Sequence, residues 1–509
     1  MRTVVIGSGM SGLTAAAYLA QDGDAVSVFE QYPEIGGVTA TIRKGGFGWD
    51  LGPLLLDGFG EGEAATLILR ELGVDQMVRR VREDRAVSFP DFTLRRPGAY
   101  AGPYWRRETL KTLFPRERDG LDRYYRLYDR VMDLLALSRR AEAARGLAAM
   151  LLKIRMAVLF QPIRHMQSWS AEKVLDQFFT GRELKALFSG ILADFVVRPS
   201  EFLGLGIPAV NVETAFDKRI PARVSSAGPR PVYHYVQGGC STLVEAVASA
   251  IRRRGGSIHP GTRVRRILVE DGRVRGLAVG DGGVVEAERV IASGGARETL
   301  LGLVGRGPLP PELAADVENV PRMISVLMIH LGIDFDPRPH QPEALCYYYR
   351  TDDIEGGVRR CQSGEFHEGR EGFLIYIPSL HSPELAPAGM HAVTVYTIAP
   401  DRLHHGNWAE RREELADRLL AEAESVIPGL RERARTTVVL TPDDFRARTL
   451  QDRHSFGGRA PVMGKPLIPH HTPIQGLWFV GAQSESGGGV ATVMAGSRKA
   501  VAMMRAVGR

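Results

Sequence analysis

Three glycines at G-x-G-x-x-G spacing, Gly7, Gly9 and Gly12, follow the apolar, β-branched residues 3–6 and open a run of helix formers at 13–21. Glu30 ends the next apolar stretch, residues 26–29. Such spacing suits a dinucleotide: Gly7 permits a tight turn, Gly9 lets backbone approach a pyrophosphate, and Gly12 lets helix pack closely on strand. The helix N-terminus then offers amide donors and a positive dipole end to the phosphates, and Glu30 can accept hydrogen bonds from ribose hydroxyls. A glycine triplet alone would equally suit a ligand-free turn; strand, helix and acidic residue together favour the site. Candidate proton-handling groups stand late in the chain: His454, His470, His471 and Glu485. Tyr347, Tyr348 and Tyr349 fall on an expected strand, where alternate side chains line a cavity and the middle one packs elsewhere. Asp50 reads as support for its loop. The three cysteines, Cys240, Cys346 and Cys361, are far apart. They suggest neither a disulfide framework nor a metal site, and no P-loop or nucleophile elbow accompanies them.

After Glu30 comes Pro33-Glu34-Ile35-Gly36-Gly37-Val38-Thr39, then Gly45-Gly46-Phe47-Gly48-Trp49-Asp50-Leu51-Gly52-Pro53. In the middle stand Val236-Gln237-Gly238-Gly239 and Thr262-Arg263-Val264; near the end stand Gly476-Leu477-Trp478-Phe479-Val480-Gly481-Ala482 and Gly487-Gly488-Gly489-Val490. This ordered set resembles the flavoproteins of the amine oxidase and phytoene desaturase superfamily. The glycine-rich tail and residues 170–187 are most similar to the branch of carotenoid desaturases, carotenoid isomerases and retinol saturase. The resemblance implies FAD as cofactor. It implies binding through Gly7, Gly9, Met10, Ser11, Gly12, Glu30, Gln31, Gly36, Gly37, Val38, Thr39, Gly52, Pro53, Leu54, Val264, Gly294, Gly481, Ala482, Gly488, Gly489 and Val490. The backbone at Val264 would meet the adenine, and the last helix would present its N-terminus to the flavin N1 and O2 region, where reduced flavin carries negative charge.

Two departures qualify the resemblance. Amine oxidases commonly carry arginine after the paired glycines, where this chain has Val38; that counts against an amine oxidase. Carotenoid desaturases usually show a Thr-His-Pro type sequence before the last glycines, where this chain has Ser484-Glu485-Ser486. Glu485, if buried, is a candidate general acid or base, with His454 beside it as a second proton carrier; a solvated turn carboxylate is the alternative for Glu485.

The elements that must position these groups are interleaved. Residues 121–137 and 170–188 have helical spacing. Residues 241–254 read as a helix, followed by short strands at 257–260, 263–270, 273–279, 284–287 and 289–292. Alternating apolar runs at 324–329, 345–349, 373–377 and 392–398 suggest a mostly antiparallel sheet, with a helix at 408–426. A strand at 477–480 and a helix at 490–505 close the chain. The expected fold class is α/β: a discontinuous Rossmann-like FAD-binding domain (1–100, 225–305 and 441–509) with an interleaved substrate domain of antiparallel sheet plus helices (a helical insertion at 101–224; sheet and helix at 306–440).

The 509 residues are 44% hydrophobic and 24% charged, which excludes a disordered chain and a single small module. The net charge of +6 is too diffuse for a nucleic-acid partner. The opening MRTVVIGSGMSG enters the glycine motif without a secretory pattern, and no uninterrupted run of eighteen apolar residues occurs, so a cytoplasmic protein that does not span a membrane is expected. Residues 147–160, apolar with Lys153 and Arg155, read as an interfacial helix making peripheral membrane contact, or else as a buried helix of the insertion. Oligomeric state is not legible. The family resemblance implies an FAD-dependent oxidoreductase acting on carbon–carbon bonds (desaturation, saturation or isomerisation) of a small apolar, polyene or isoprenoid-like substrate. The alternatives are a flavin amine or amino-acid oxidase, and a non-catalytic binding protein resembling Rab escort and GDP dissociation inhibitor proteins.

Overall fold

Short, largely apolar strands belong in a parallel sheet covered on both faces, and the chain gathers five strands into one from distant segments, the edge strand Ser257–His259 the least apolar of them. In the computed structural model, which describes residues 1–100, 104–211, 233–451 and 458–507, their order is Leu477–Phe479, Arg289–Ala292, Arg2–Ile6, Ala25–Phe29 and Ser257–His259. All four neighbouring pairs run parallel. The helices Met10–Gln21, Cys240–Arg252 and Val490–Val507 pack on one face around Leu13, Ala16, Val28, Leu243, Val247, Met494 and Val501. A three-stranded antiparallel sheet, Val264–Glu270, Arg273–Val279 and Gly283–Glu286, covers the other with Ile267 and Leu277.

The second large sheet has seven strands in the order Ala434–Leu440, Ser325–Ile333, His391–Ala399, Gly372–Tyr376, Leu345–Tyr349, Arg85–Phe89 and Phe92–Leu94. Its two faces obey the strand period of two. Leu327, Ile329, Leu331, Ile375, Val393 and Val395 pack against Leu415, Leu419 and Leu420 of the helix Trp408–Glu424. Val326, Met328, Tyr347, Leu374, Tyr376 and Tyr396 face the opposite way, toward Leu54.

Two boundaries differ from expectation. Residues 85–94, read as part of the cofactor domain, belong to the substrate sheet: Arg85–Phe89 pairs in parallel with Leu345–Tyr349. A five-residue strand whose partner lies far along the chain carries no local signature of the sheet it will join. The continuous helical reading of 170–188 is also corrected, since the segment forms Ala171–Asp176 and Arg182–Ser189 with a turn between. Glu117 holds that turn open: its Oε1 accepts from Thr180 N at 2.9 Å, Thr180 Oγ1 at 2.6 Å and Gly181 N at 2.6 Å. The helical insertion otherwise centres on Arg118–Ala143, along which Gly146–Phe160 lies.

Candidate active site

The glycine turn has the geometry its spacing predicts. Gly7 has φ +91°, and a Cβ there would stand 2.6 Å from the Ser293 carbonyl oxygen; a Cβ on Gly12 would stand 2.2 Å from the Gly7 carbonyl oxygen. Gly9 is different, because a Cβ there would meet nothing within 4 Å. Its backbone borders open space before the helix Met10–Gln21, where Met10 and Ser11 supply the first amides. The paired glycines close on the same point, with Gly37 Cβ space bounded by Gly9 Cα at 3.4 Å and Gly36 N donating to Ser8 O at 3.0 Å. Gly52 lies so close to the Val38 carbonyl, 2.3 Å from a built Cβ, that Val38, Thr39, Gly52, Pro53 and Leu54 form one continuous wall.

Glu30 is buried at the end of its strand. Ser8 N and Oγ donate to its Oε2 at 2.8 and 2.7 Å, and Tyr32 N donates to Oε1 at 2.8 Å. A carboxylate oxygen with one bond keeps capacity to accept a hydroxyl. Thr262 N donates to Glu30 O at 2.7 Å, which brings Val264 to the same strand end. From the other side, Val480 N donates to Ala292 O, Gly294 follows that strand, and Gly481 (φ +115°) passes Ser11, with Ala482 next to it. Gly488 and Gly489 lead into Val490 at the start of the last helix. All these groups converge at the carboxyl ends of the parallel strands, the crevice where open α/β sheets hold ligands.

On the inner face of the substrate sheet, Tyr347, Leu374 and Tyr396 pack in one apolar cluster with Leu54 and also line, with Tyr349 and Asp194, an aromatic chamber. Tyr347 and Tyr349 stack at 6.3 Å, and Tyr348 turns away to stack on Phe373. Gly190 permits the turn Gly190–Ala193 to approach, since a Cβ there would meet the Tyr349 ring at 2.7 Å. That approach delivers Asp194, whose Oδ1 accepts from Tyr396 Oη at 3.4 Å. Burial pushes the Asp194 carboxyl up to about 6, against the opposing pull of Tyr347, Arg85 and Tyr396. The chamber therefore contains a carboxylic acid able to hold or release a proton near neutrality.

The model of one family, flavin containing amine oxidoreductase, matches residues 10–504. The chain belongs to this family. Its cofactor is FAD, and it is similar to the carotenoid desaturase and isomerase branch. It is 25% identical to prolycopene isomerase 1, chloroplastic, of an Oncidium hybrid cultivar over 96% of this chain and 81% of that protein. It is 27% identical to phytoene desaturase (lycopene-forming) of a Paracoccus species, over 53% of this chain and 54% of that one. Among solved structures, an oxidoreductase from Methanosarcina mazei shares the fold at TM-score 0.64 and 21% identity, covering 99% of this chain and 100% of that one.

The flavoprotein also brings to the crevice a residue that sequence reasoning missed. Arg448, near the end of the helix Pro442–Thr449, is 6% exposed; its Nε donates to Gly37 O at 2.6 Å and its guanidinium covers the Tyr32 ring at 4.3 Å. Its Nη1 reaches Glu34 Oε2 at 3.4 Å, and its Nη2 is buried without a hydrogen-bond partner among the described residues. A buried donor left unmatched costs on the order of 1–3 kcal/mol, so an anionic group bound in this crevice has a donor waiting beside the paired glycines. No spacing singles out this arginine among its neighbours. Gln31, expected at the cofactor, ties down Arg448's helix: its Nε2 donates to the carbonyls of Ala447 and Arg448 at 3.2 and 2.5 Å.

The proposed acid–base residues fare differently. Glu485 is not brought to the chamber: it pairs with exposed Lys499 at 3.1 Å and lies 3.9 Å from His470 Nε2. Half-buried and paired with an exposed lysine, it fits the solvated-turn alternative better than a buried acid. His454 lies outside the described residues. His470 is a structural staple, completely buried, with Nδ1 against Phe479 O and Nε2 against Ser486 Oγ; burial lowers its pKa, so it stays neutral. His471 packs on Trp478. Asp50 supports its loop as expected, its Oδ1 accepting from Thr41 Oγ1 at 2.6 Å and Cys240 N at 2.8 Å.

Proposed function

We propose that this flavoprotein makes, removes or rearranges carbon–carbon double bonds in an elongated apolar, polyene or isoprenoid-like substrate. The observation that carries the reading is the chamber, whose walls Tyr347, Leu374 and Tyr396 belong to the same apolar sheet face as Leu54 and whose far side holds Asp194. The prolycopene isomerase and phytoene desaturase likeness supports it. FAD, when bound, supplies two-electron chemistry, accepting or returning a hydride. Glu30, the Gly7–Gly12 turn, the paired glycines, Arg448 and the segment from Gly488 to Val490 would hold and orient it. The N-terminus of the last helix would favour negative charge on the reduced ring. Leu54, Met328, Leu374 and Tyr396 would exclude water, while Asp194 would keep a proton at Oδ1 or Oδ2 for exchange with a substrate carbon.

We place the enzyme in the cytoplasm at a membrane surface, with a small apolar substrate and no nucleic acid as partner. Leu147, Met150, Leu151, Ile154 and Val158 of the helix Gly146–Phe160 are all exposed. With the turn that follows, Gly146–Met166 is long and apolar enough by length and composition to cross a membrane, the one such helix among the described residues. Its packing along Arg118–Ala143 and the charges of Lys153 and Arg155 at mid-length favour lying in the interface with both cations snorkelling.

The deciding experiment is anaerobic titration of the yellow protein. Polyenes that bleach the flavin band, or return as isomers from the reduced enzyme, are the expected outcome. Bleaching by amines alone would overturn the proposal.

A further inference from the structure

The helix Gly146–Phe160 carries a charge pattern that neither the FAD crevice nor the chamber uses. Its exposed side chains Leu147, Met150, Leu151, Ile154 and Val158 stand at positions i, i+3, i+4, i+7 and i+11, which places them in one stripe along the helix. On the opposite side Leu152, Met156 and Leu159 are half-buried, toward the helix Arg118–Ala143, and Phe160 packs with Leu127 and Val131. Lys153 and Arg155 take the two flanks. At about 3.6 residues per turn they fall on either side of the apolar stripe, and both are exposed among the described residues. Arg145 precedes the helix and Arg164 follows it, exposed as well. Residues 143–171 contain no aspartate or glutamate. Elsewhere on the surface the arginines of an exposed helix stand beside carboxylates of the same helix, as Arg411 and Arg418 do with Glu414. Here the cations frame an apolar face.

We propose that the bilayer this helix enters is one rich in anionic phospholipid, with Lys153 and Arg155 at headgroup level along the flanks of the inserted stripe and Arg145 and Arg164 at its two ends. The inference rests on the reading that this helix makes the peripheral membrane contact. A zwitterionic bilayer would accept the stripe and leave the flanking charges without a net counter-charge. Anionic headgroups supply one, because the aliphatic stems of the cations lie along the apolar face while their charged ends stay among the phosphates. Each cation held at such a surface strengthens binding by about fivefold. That attraction is screened beyond a Debye length, about 30 Å at 0.01 M salt and about 3 Å at 1 M. A second copy of the chain fits the face less well, since a two-fold pairing through it sets the same cations against one another.

The test is flotation of the FAD-loaded protein with phosphatidylcholine vesicles, with and without phosphatidylglycerol, at about 0.01 M and about 1 M salt. At low salt the vesicles containing phosphatidylglycerol are expected to bind at least about tenfold more tightly, and at high salt the two kinds bind alike. Lys153→Gln, Arg155→Gln and Arg164→Gln made together bring the low-salt preference below about twofold, while binding to phosphatidylcholine alone and the flavin spectrum stay constant. The charge-preserving set Lys153→Arg, Arg155→Lys and Arg164→Lys keeps the preference, which a role in side-chain packing would not predict. Equal low-salt binding of the unmodified protein to both vesicles overturns the lipid preference and leaves the interfacial helix standing. A preference that the triple glutamine variant retains also overturns it. Binding to neither vesicle, whether the protein sediments as a monomer or as a dimer, overturns the preference and the membrane contact together.

Discussion

At Arg448 a single side chain shows how position assigns a task. Its Nε is satisfied by Gly37 O and its Nη1 reaches Glu34 Oε2 at 3.4 Å, while its Nη2 is buried with no acceptor among the described residues and would be met by an anionic group entering the crevice. Arg448→Met is expected to raise the FAD dissociation constant about tenfold, read by recovery of flavin fluorescence quenching when the apoprotein is refilled, with Arg448→Lys intermediate. Asp194 makes a separate prediction. Its folded pKa is raised to about 6 by burial, so the fold favours the protonated form, and that contribution to stability is lost as pH rises through about 6. Asp194→Asn should therefore melt closer to the unmodified protein at pH 5 and gain on it by about 1–3 °C at pH 7.5. A difference independent of pH across that range would show that the carboxyl does not titrate there. Both residues were illegible in sequence: an aspartate after a short turn and an arginine among other arginines have no distinguishing neighbours along the chain.

Among the elements, the helix Gly146–Phe160 is the one whose surface and sequence point the same way. None of its residues is buried, and Leu147 and Val158 keep 71% and 68% of their exposure. Replacing Leu147, Leu151 and Val158 together by serine should move the protein from the floating to the soluble fraction with anionic liposomes and leave its flavin spectrum unchanged. Co-flotation of the triple variant at the level of the parent would remove the helix from the membrane contact. The closing strand Leu477–Phe479 and helix Val490–Val507 and the hairpin Arg273–Val279 with Gly283–Glu286 follow periodicity closely, because hydrophobic alternation and glycine turns are local signals. The break at Thr180–Gly181 does not, since the Glu117 carboxylate that enforces it lies 63 residues earlier.

For the whole molecule, the parallel sheet is assembled from chain segments as far apart as Arg2–Ile6 and Leu477–Phe479, and the crevice lies where they meet. On the proposed reading, FAD bound there would couple the two ends of the chain. Its removal should lower the melting temperature by at least about 2 °C, restored on adding FAD at a hundredfold its dissociation constant, where binding contributes about 2.7 kcal/mol. An apoprotein that melts with the holoenzyme would mean that the crevice is not the cofactor site. By itself the sequence determined the glycine turn, Glu30, the paired glycines, the glycine-rich closing segment and the two-sheet α/β plan, because these depend on backbone conformations and periodicities encoded within a few residues. Only the tertiary structure decided that residues 85–94 join the substrate sheet, that Glu485 turns to Lys499, that Asp194 lines a cavity and that Arg448 is buried beside the paired glycines. Burial, pKa and unmet hydrogen-bond capacity are set by neighbours hundreds of residues away, and no local pattern records them.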